Sequence, residues 1–264
     1  MDASSHCGQR LQRHYRSMRR KVSNRFSFWE YIFGQSNQRY SNVLITGVTP
    51  RRLAVLIVVA AALSMSNGRL FANTADFPDP NLAACVVEAM KAEGVITPRD
   101  LTRLSCNARK IETATGIETL SSLVDLSLFG NRLATINLNN LPHLATLNLA
   151  DNLLRKVDVS QNAELLKLYL FRNRLTTLDL GRASKLQKLR AENNRLEVVT
   201  FGQMPALKKV YLFDNRMEDI NIDNLTGLRS IDVRANPMPD EVYDYLDSFS
   251  GVKASHDGNT EEWR

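Results

Sequence analysis

An asparagine recurs at a fixed interval along most of this chain. Six asparagines are 21 residues apart, and the residues ahead of them follow the pattern LxxLxL, as in LLKLYLFRN and LKKVYLFDN. The six positions are Asn131, Asn152, Asn173, Asn194, Asn215 and Asn236. A 22-residue unit with Arg109 in the asparagine position precedes them, so seven units cover residues 101–248. Such a period is typical of a solenoid, because one unit cannot bury its own apolar face but stacked units can.

The positions within one unit predict the local structure. The last two leucines of LxxLxL are two residues apart, so their side chains point to the same side of a short strand. Stacked units pair these strands into a parallel sheet. The asparagine that follows turns the chain, and its side chain can bond backbone groups that the turn leaves unpaired. The sequence therefore predicts an α/β repeat solenoid with a parallel sheet and a structural ladder of asparagines.

Both ends of the predicted solenoid carry covers, which open solenoid ends require. Residues 76–100 form an N-terminal helical cap, in which Asp79 is an N-cap and Pro80 takes the first helical position. A C-terminal cap helix is expected to begin at about residue 240, within the last repeat. The residues expected to face the core from this helix are Val242, Tyr245, Leu246 and Phe249. Residues 249–264 are expected to be a polar tail.

An apolar run of thirteen residues, Leu53–Met65, lies ahead of the repeats and directly after two arginines. A bilayer-spanning helix needs about 20 apolar residues, whereas thirteen is the length of a signal-peptide h-region. We expect residues 53–75 to hold the h-region and the cleavage region. A retained signal anchor and a buried core helix are the alternatives. Residues 1–52 form a basic leader, long for a signal peptide, so either translation starts downstream near Val48 or the extension is genuine.

The distribution of charge excludes several classes of function. The chain carries a formal +6, but residues 1–52 hold ten Lys/Arg and two Asp/Glu, a charge of +8, which leaves −2 for the rest. The body is therefore a poor binder of nucleic acid. No Cys/His spacing resembles a metal site, and no nucleophile, general base or phosphate loop stands out. We expect no metal, no cofactor, no small-molecule substrate and no enzymatic activity. Contact with a membrane is expected only through an uncleaved signal segment.

Two of the three cysteines are expected to face the core at one end of the solenoid. Cys106 takes the last apolar position of the first strand, and Cys85 lies on the inner side of the cap helix. Disulfides persist in compartments through which exported chains pass. The pair is either a disulfide or two buried thiols that act as small apolar groups. The letters of Leu82–Cys85 also match a lipoprotein cleavage motif, but about 20 polar or Pro-containing residues separate it from the apolar run.

These units resemble the leucine-rich repeats of bacterial surface and exported proteins. The segment FPDPNLAACVVEAM, with GIETLSSLVDL after it, resembles the N-terminal cap and first repeats of internalin-like proteins. The resemblance implies a leucine-rich repeat horseshoe, a curved solenoid that binds a protein partner on its parallel concave sheet. It also implies an exported protein, located in the periplasm, at the cell surface or in the medium. The alternatives are a structural cell-envelope protein and an exported effector that acts on host proteins.

Two columns of residues are the candidate partner-binding surface. One lies between the last two apolar residues of each strand and the other lies just after the strand. Exposed aromatic residues with interleaved arginine have the composition of interaction hot spots. The candidates are Phe129, Tyr169, Phe171, Arg190, Glu192, Tyr211, Phe213 and Arg234. The phenylalanines could instead pack against the neighbouring repeat and widen the core. Lys167, Lys188 and Lys209 form a further column, interpreted as a solvated edge or a contact for an acidic partner.

The apolar run generates a prediction about export. Cleavage after a thirteen-residue h-region gives a mature N-terminus between about residues 67 and 76, where small side chains suit the cleaving enzyme. Mass spectrometry of the purified native protein measures this directly. A mature form that still contains intact residues 1–60 would contradict the prediction.

Overall fold

The structure is a computed structural model, and it describes residues 76–258. The leader and the signal segment predicted over residues 1–75 lie outside the described residues. The two helices are α1 (Pro80–Glu93) and α2 (Asp240–Asp247). The strands are β1 (Arg103–Ser105), β2 (Asp125–Ser127), β3 (Thr146–Asn148), β4 (Lys167–Tyr169), β5 (Thr177–Asp179), β6 (Lys188–Arg190), β7 (Val198–Thr200), β8 (Lys209–Tyr211), β9 (Ser230–Asp232) and β10 (Lys253–Ser255). Within the described part of the chain, no helix is long and apolar enough to cross a membrane.

Eight of the strands form one parallel sheet in the order β1-β2-β3-β4-β6-β8-β9-β10. Equivalent positions of successive repeats pair with each other, so that Leu147 lies beside Leu126 on one side and Leu168 on the other. Strands β5 and β7 come from the second halves of two units and pair in a separate sheet. The prediction of a repeat solenoid with a parallel sheet is therefore confirmed.

The core lies on the inner side of the main sheet and is built from the leucine positions of each unit. In β4 only the middle residue is buried, while its two neighbours face away from the core. Leu168, Leu170 and Leu175 are fully buried. The apolar residues of the second half of the unit, Leu178 and Leu180, are buried as well. Each unit thus contributes two short apolar rows, and stacking joins these rows into one continuous core.

Asn173 shows how the ladder joins neighbouring repeats. Its Nδ2 donates to the carbonyl of Leu170 in its own unit at 3.0 Å and to that of Leu149 in the preceding unit at 2.9 Å. Its Oδ1 accepts from the backbone N–H of Leu154, also in the preceding unit, at 3.0 Å. The other five asparagines make the equivalent bonds.

The residue ahead of each ladder position has a left-handed backbone conformation. Its φ lies between 52° and 68° in all seven units. The residues are Ala108, Gly130, Asp151, Arg172, Asn193, Asp214 and Ala235. Only one of them is glycine, although the left-handed region costs other residues roughly 1 kcal/mol or more. In the six units with an asparagine at the ladder position, the bonds of that asparagine hold this turn, so that the residue type at the turn itself can vary.

Asp79 fixes the N-terminal cap to the first repeat. Its Oδ1 accepts from the N–H groups of Asn81 and Leu82 and so caps helix α1. Its Oδ2 accepts from the N–H groups of Glu112 and Thr113 in the first repeat. Burial works to raise the pKa of Asp79, but these four backbone bonds outweigh burial and hold the pKa below its usual value. The resulting stability is present above the ordinary aspartate pKa and is lost as the pH falls through the lowered one.

A disulfide joins α1 to the first strand. Cys85 and Cys106 are bonded, with their Cα atoms 5.8 Å apart. The predicted pair is confirmed, and the alternative of two buried thiols is excluded. A bonded Cys85 also has no thiol to carry a lipid, so the interpretation of Leu82–Cys85 as a lipoprotein cleavage motif is wrong. Closing a loop of this size contributes about 3 kcal/mol by the chain-entropy relation.

The C-terminal end differs from its prediction. Leu246 and Tyr243 of α2 are buried, and Val242, Tyr245 and Phe249 are partly buried against the same core. Residues 249–264 were expected to be a polar tail, but Lys253–Ser255 form β10, which extends the main sheet beside β9. His256 is buried and stacks on Tyr243, with ring centroids 4.5 Å apart. The leucine pattern is absent here because Ala254 and His256 take the core positions.

The ladder generates a prediction about stability. Replacing Asn173 with alanine leaves buried carbonyls and an N–H without partners, so we expect Asn173→Ala to lower the free energy of unfolding by about 1–3 kcal/mol. Urea denaturation measures this change. Arg174→Ala, at the exposed neighbouring position, is the matched control and should change the midpoint little. Equal midpoints for the two variants would show that the ladder bond is not stabilising.

Candidate functional site

The main sheet has an outer face, formed by the first and third residue of each strand. In β4 and β8 these are a lysine and a tyrosine, and the buried residue lies between them. Tyr169 pairs with Arg190, and Arg190 pairs with Tyr211, in the parallel register of β4, β6 and β8. The two tyrosines are therefore two strands apart, or about 10 Å. Both are half-buried.

The column just after the strands adds further aromatic rings to this face. Phe129, Phe171 and Phe213 are all half-buried. The ring centroids of Phe129 and Phe171 are 6.3 Å apart, across the unit that carries the small, buried Ala150. Each ring thus packs on its surroundings and still presents part of its surface. We name Tyr169, Phe171, Tyr211 and Phe213 the aromatic patch.

Two cations of β6 lie among these rings. The Nζ of Lys188 is 5.6 Å from the ring centroid of Tyr169 and 5.8 Å from that of Tyr211. The guanidinium of Arg190 is 4.5 Å from the centroid of Phe171 and 5.7 Å from that of Tyr211. Cations at such distances are attracted to the negative faces of the rings. These contacts hold the rings and the cations in one arrangement. Lys188 was predicted to lie in an edge column, and the structure places it inside the patch.

Glu192 is placed differently from the prediction. We expected a carboxylate presented to a partner, but the side chain keeps only 1% of its surface exposed. Its Oε1 accepts from Nε of Arg190 at 2.7 Å and also from a terminal nitrogen of the same guanidinium. Its Oε2 is buried without a hydrogen-bond partner among the described residues. Glu192 therefore acts on the face through Arg190, whose position it fixes.

Arg234 lies near the C-terminal end of the face. Its Nε donates to Oδ1 of Asp232 at 2.9 Å, and a terminal nitrogen donates to Oδ2 at 2.7 Å. The guanidinium side chain remains 57% exposed, while that of Asp232 is 12% exposed. The structure does not bring Arg234 into the aromatic patch. Within residues 76–258 no group of three His, Cys, Asp or Glu side chains could hold a metal ion.

The described fold resembles solved leucine-rich repeat structures. Internalin C2 of Listeria monocytogenes is 24% identical, with a TM-score of 0.51, over 70% of this chain and 96% of that one. The internalin InlF of the same organism is 22% identical, with a TM-score of 0.48, over 69% of this chain. This chain spans 64% of the length of InlF. A leucine-rich repeat protein of Leptospira interrogans is 19% identical, with a TM-score of 0.37, over 60% of this chain and 55% of that one.

These likenesses are in structure rather than in sequence. No protein-family model matches the chain. No curated protein matches it either. At 24% identity the likeness to internalin C2 shows the fold alone, and it confirms the prediction of an internalin-like leucine-rich repeat fold.

The pair of Arg190 and Glu192 generates a prediction. Arg190→Ala leaves the carboxylate of Glu192 buried without its cation, which should lower the free energy of unfolding by about 2–3 kcal/mol. This is less than the loss of a fully buried pair would cost, because the side chain of Arg190 is 37% exposed. Urea denaturation of the variant measures the change.

The control combines Arg190→Ala with Glu192→Ala. Alanine already takes this position in another unit, where Ala150 is fully buried. Removing both charges should therefore restore much of the stability lost in Arg190→Ala. If the double variant unfolds as easily as the single one, the loss comes from the contact of Arg190 with Phe171 and not from the buried charge.

Proposed function

We propose that this chain is an exported, non-enzymatic interaction module that binds another protein on the outer face of its main sheet, the face expected to be concave. The observation that carries the proposal is the aromatic patch. Its four rings are partly exposed, and two cations of the intervening strand lie among them. Tyrosine, phenylalanine and arginine are favoured at hot spots because they bury a large area at a low cost in side-chain entropy.

The stiffness of the face supports binding rather than simple packing. The rings stand on strands whose register is fixed by the sheet and by the ladder. The cations that lie among them are held in place by ring contacts and, for Arg190, by Glu192. A surface ordered before binding loses little conformational freedom when a partner docks. The cost of ordering the half-exposed rings therefore subtracts little from the free energy gained when a partner covers them.

The chemistry of the described residues suits a binding module better than an enzyme. On the outer face, Arg190 and Arg234 are each engaged with a carboxylate of their own unit. His256, the buried histidine, contacts Asp247 at 3.1 Å at the C-terminal end, away from the aromatic patch. Catalysis requires a nucleophile or general base beside a pocket. The features that the face does present, rings and positioned cations, are those of recognition.

Export is supported by the disulfide. A bond between Cys85 and Cys106 persists in an oxidising compartment such as the periplasm, the cell surface or the medium. The signal segment that would direct export falls in residues 53–75, outside the described residues.

Removing the two tyrosine rings tests the proposal. The double change Tyr169→Ala and Tyr211→Ala should weaken binding of a protein partner by about 2 kcal/mol, or about 30-fold in affinity. The melting temperature should move little, since both rings face away from the core. Partners are captured with the full chain as bait from periplasm or culture medium, and their affinities for both forms are then measured.

The matched control removes two exposed apolar side chains elsewhere, with Leu153→Ala and Val198→Ala. This control variant should retain every partner. A tyrosine variant that folds and also retains every partner would move the binding surface away from the outer face. A tyrosine variant that unfolds readily would show that the rings are packing residues.

A further inference from the structure

The first position of the central strands carries one kind of charge. Lys167, Lys188 and Lys209 are paired in register in β4, β6 and β8. Neighbouring strands are about 4.8 Å apart, so the three ammonium groups leave the sheet side by side. Like charges directly opposite each other on a sheet are destabilising. We name these three residues the lysine row.

The same column is neutralised where it reaches the N-terminal end of the sheet. There Arg103 of β1 lies opposite Asp125 of β2, with Nε and Oδ2 3.4 Å apart. Within the described residues, no carboxylate comes within 4.0 Å of any ammonium group of the lysine row. The positive charges at the centre of the column are thus uncompensated. A carboxylate does fit this column, because Asp125 occupies it two strands away from Lys167.

Two arginines on the same face, in contrast, have carboxylate partners. Arg103 contacts Asp125, and Arg234 contacts Asp232. Arg190 is on the same strand as Lys188, two residues further along, and its charge is matched by Glu192. The outer face of β4, β6 and β8 consequently keeps three unmatched positive charges beside the aromatic patch. Lys188 belongs to both, because its ammonium group lies between the two tyrosine rings.

We infer that the partner presents an acidic segment of polypeptide to the lysine row, with apolar side chains beside it that cover the aromatic patch. This inference rests on the proposed function and names the class of partner. Carboxylates placed over the row supply the counter-charges that this chain lacks and relieve the repulsion among its ammonium groups. The rings exclude water around these ion pairs and thereby strengthen them. Ion pairs and buried apolar area then both contribute to affinity at the same part of the face.

A selection from random displayed peptides tests the inference without a known partner. The full chain, its Tyr169→Ala/Tyr211→Ala variant and a lysine-row variant with Lys167→Gln, Lys188→Gln and Lys209→Gln serve as targets. Peptides selected on the unmodified chain should be enriched in Asp and Glu together with apolar residues. They should bind the lysine-row variant about tenfold more weakly, since exposed ion pairs contribute modestly one by one. Their affinity should also fall as salt rises from about 0.05 M to about 0.5 M.

The control for total charge replaces three exposed lysines outside the outer face, Lys91, Lys110 and Lys156, with glutamine. It should bind the selected peptides as the unmodified chain does. Peptides without an acidic excess overturn the inference, and so does equal binding by the lysine-row variant. In both cases the proposed function stands if the tyrosine variant still loses binding. In a last experiment, heparin competes with the selected peptides at matched charge. Displacement of the peptides would show that the lysine row binds polyanions in general, and it would overturn the inference of an acidic polypeptide.

A stability measurement checks the charge argument by itself. If the row is uncompensated, the lysine-row variant should melt at a temperature at least as high as the unmodified chain in low salt. Added salt should raise the melting temperature of the unmodified chain more than that of the variant. A variant that melts lower at every salt concentration would show that the lysines support the fold, and it would overturn the inference.

Discussion

The carboxamide of one side chain determines how every repeat meets the next. An asparagine at this position bonds a carbonyl of its own unit, a carbonyl of the preceding unit and an N–H of the preceding turn, as Asn173 does. Aspartate has no donor for the two carbonyls, and leucine has neither a donor nor an acceptor. Because these bonds reach across each boundary, they fix the register of adjacent strands. The flat apolar rows of the core could not fix that register by themselves.

The functional surface follows from this register. A residue of the outer face contributes one ring or one charge, and only the stacking of units turns such residues into a surface. Tyr169, Arg190 and Tyr211 are far apart in sequence but adjacent on the sheet. The left-handed turn residues show the other side of the same constraint. Since the ladder holds the turn, these residues can differ from unit to unit without changing the position of any outer-face column.

The period in the sequence predicts the ladder and the main-sheet strands β1–β4, β6, β8 and β9, because each of these depends on which column a residue occupies. It leaves open whether Cys85 and Cys106 are bonded, and it does not predict β5 and β7, which come from the second halves of two units. It did not predict the burial of Glu192. A column assignment says which way a side chain leaves the backbone, but a long side chain can bend toward a cation such as Arg190 and leave the solvent. Strand β10 was missed for a related reason. Ala254 and His256 replace the leucines at the core positions, so the periodic signal stops before the sheet does.

Because of the single disulfide, the two ends of the described stack are held with different strength. Covalent and hydrogen bonds hold the N-terminal cap to the first unit, whereas α2 and β10 close the other end by packing and hydrogen bonds alone. In a linear array whose units contact only their neighbours, partial unfolding starts at the weaker end and advances unit by unit. Fraying should therefore begin at β10 and reach β8 and β6 before β1. Tyr211 would be the first tyrosine of the patch to lose its place, so a partner seated across the patch would act as a clamp against fraying from that end.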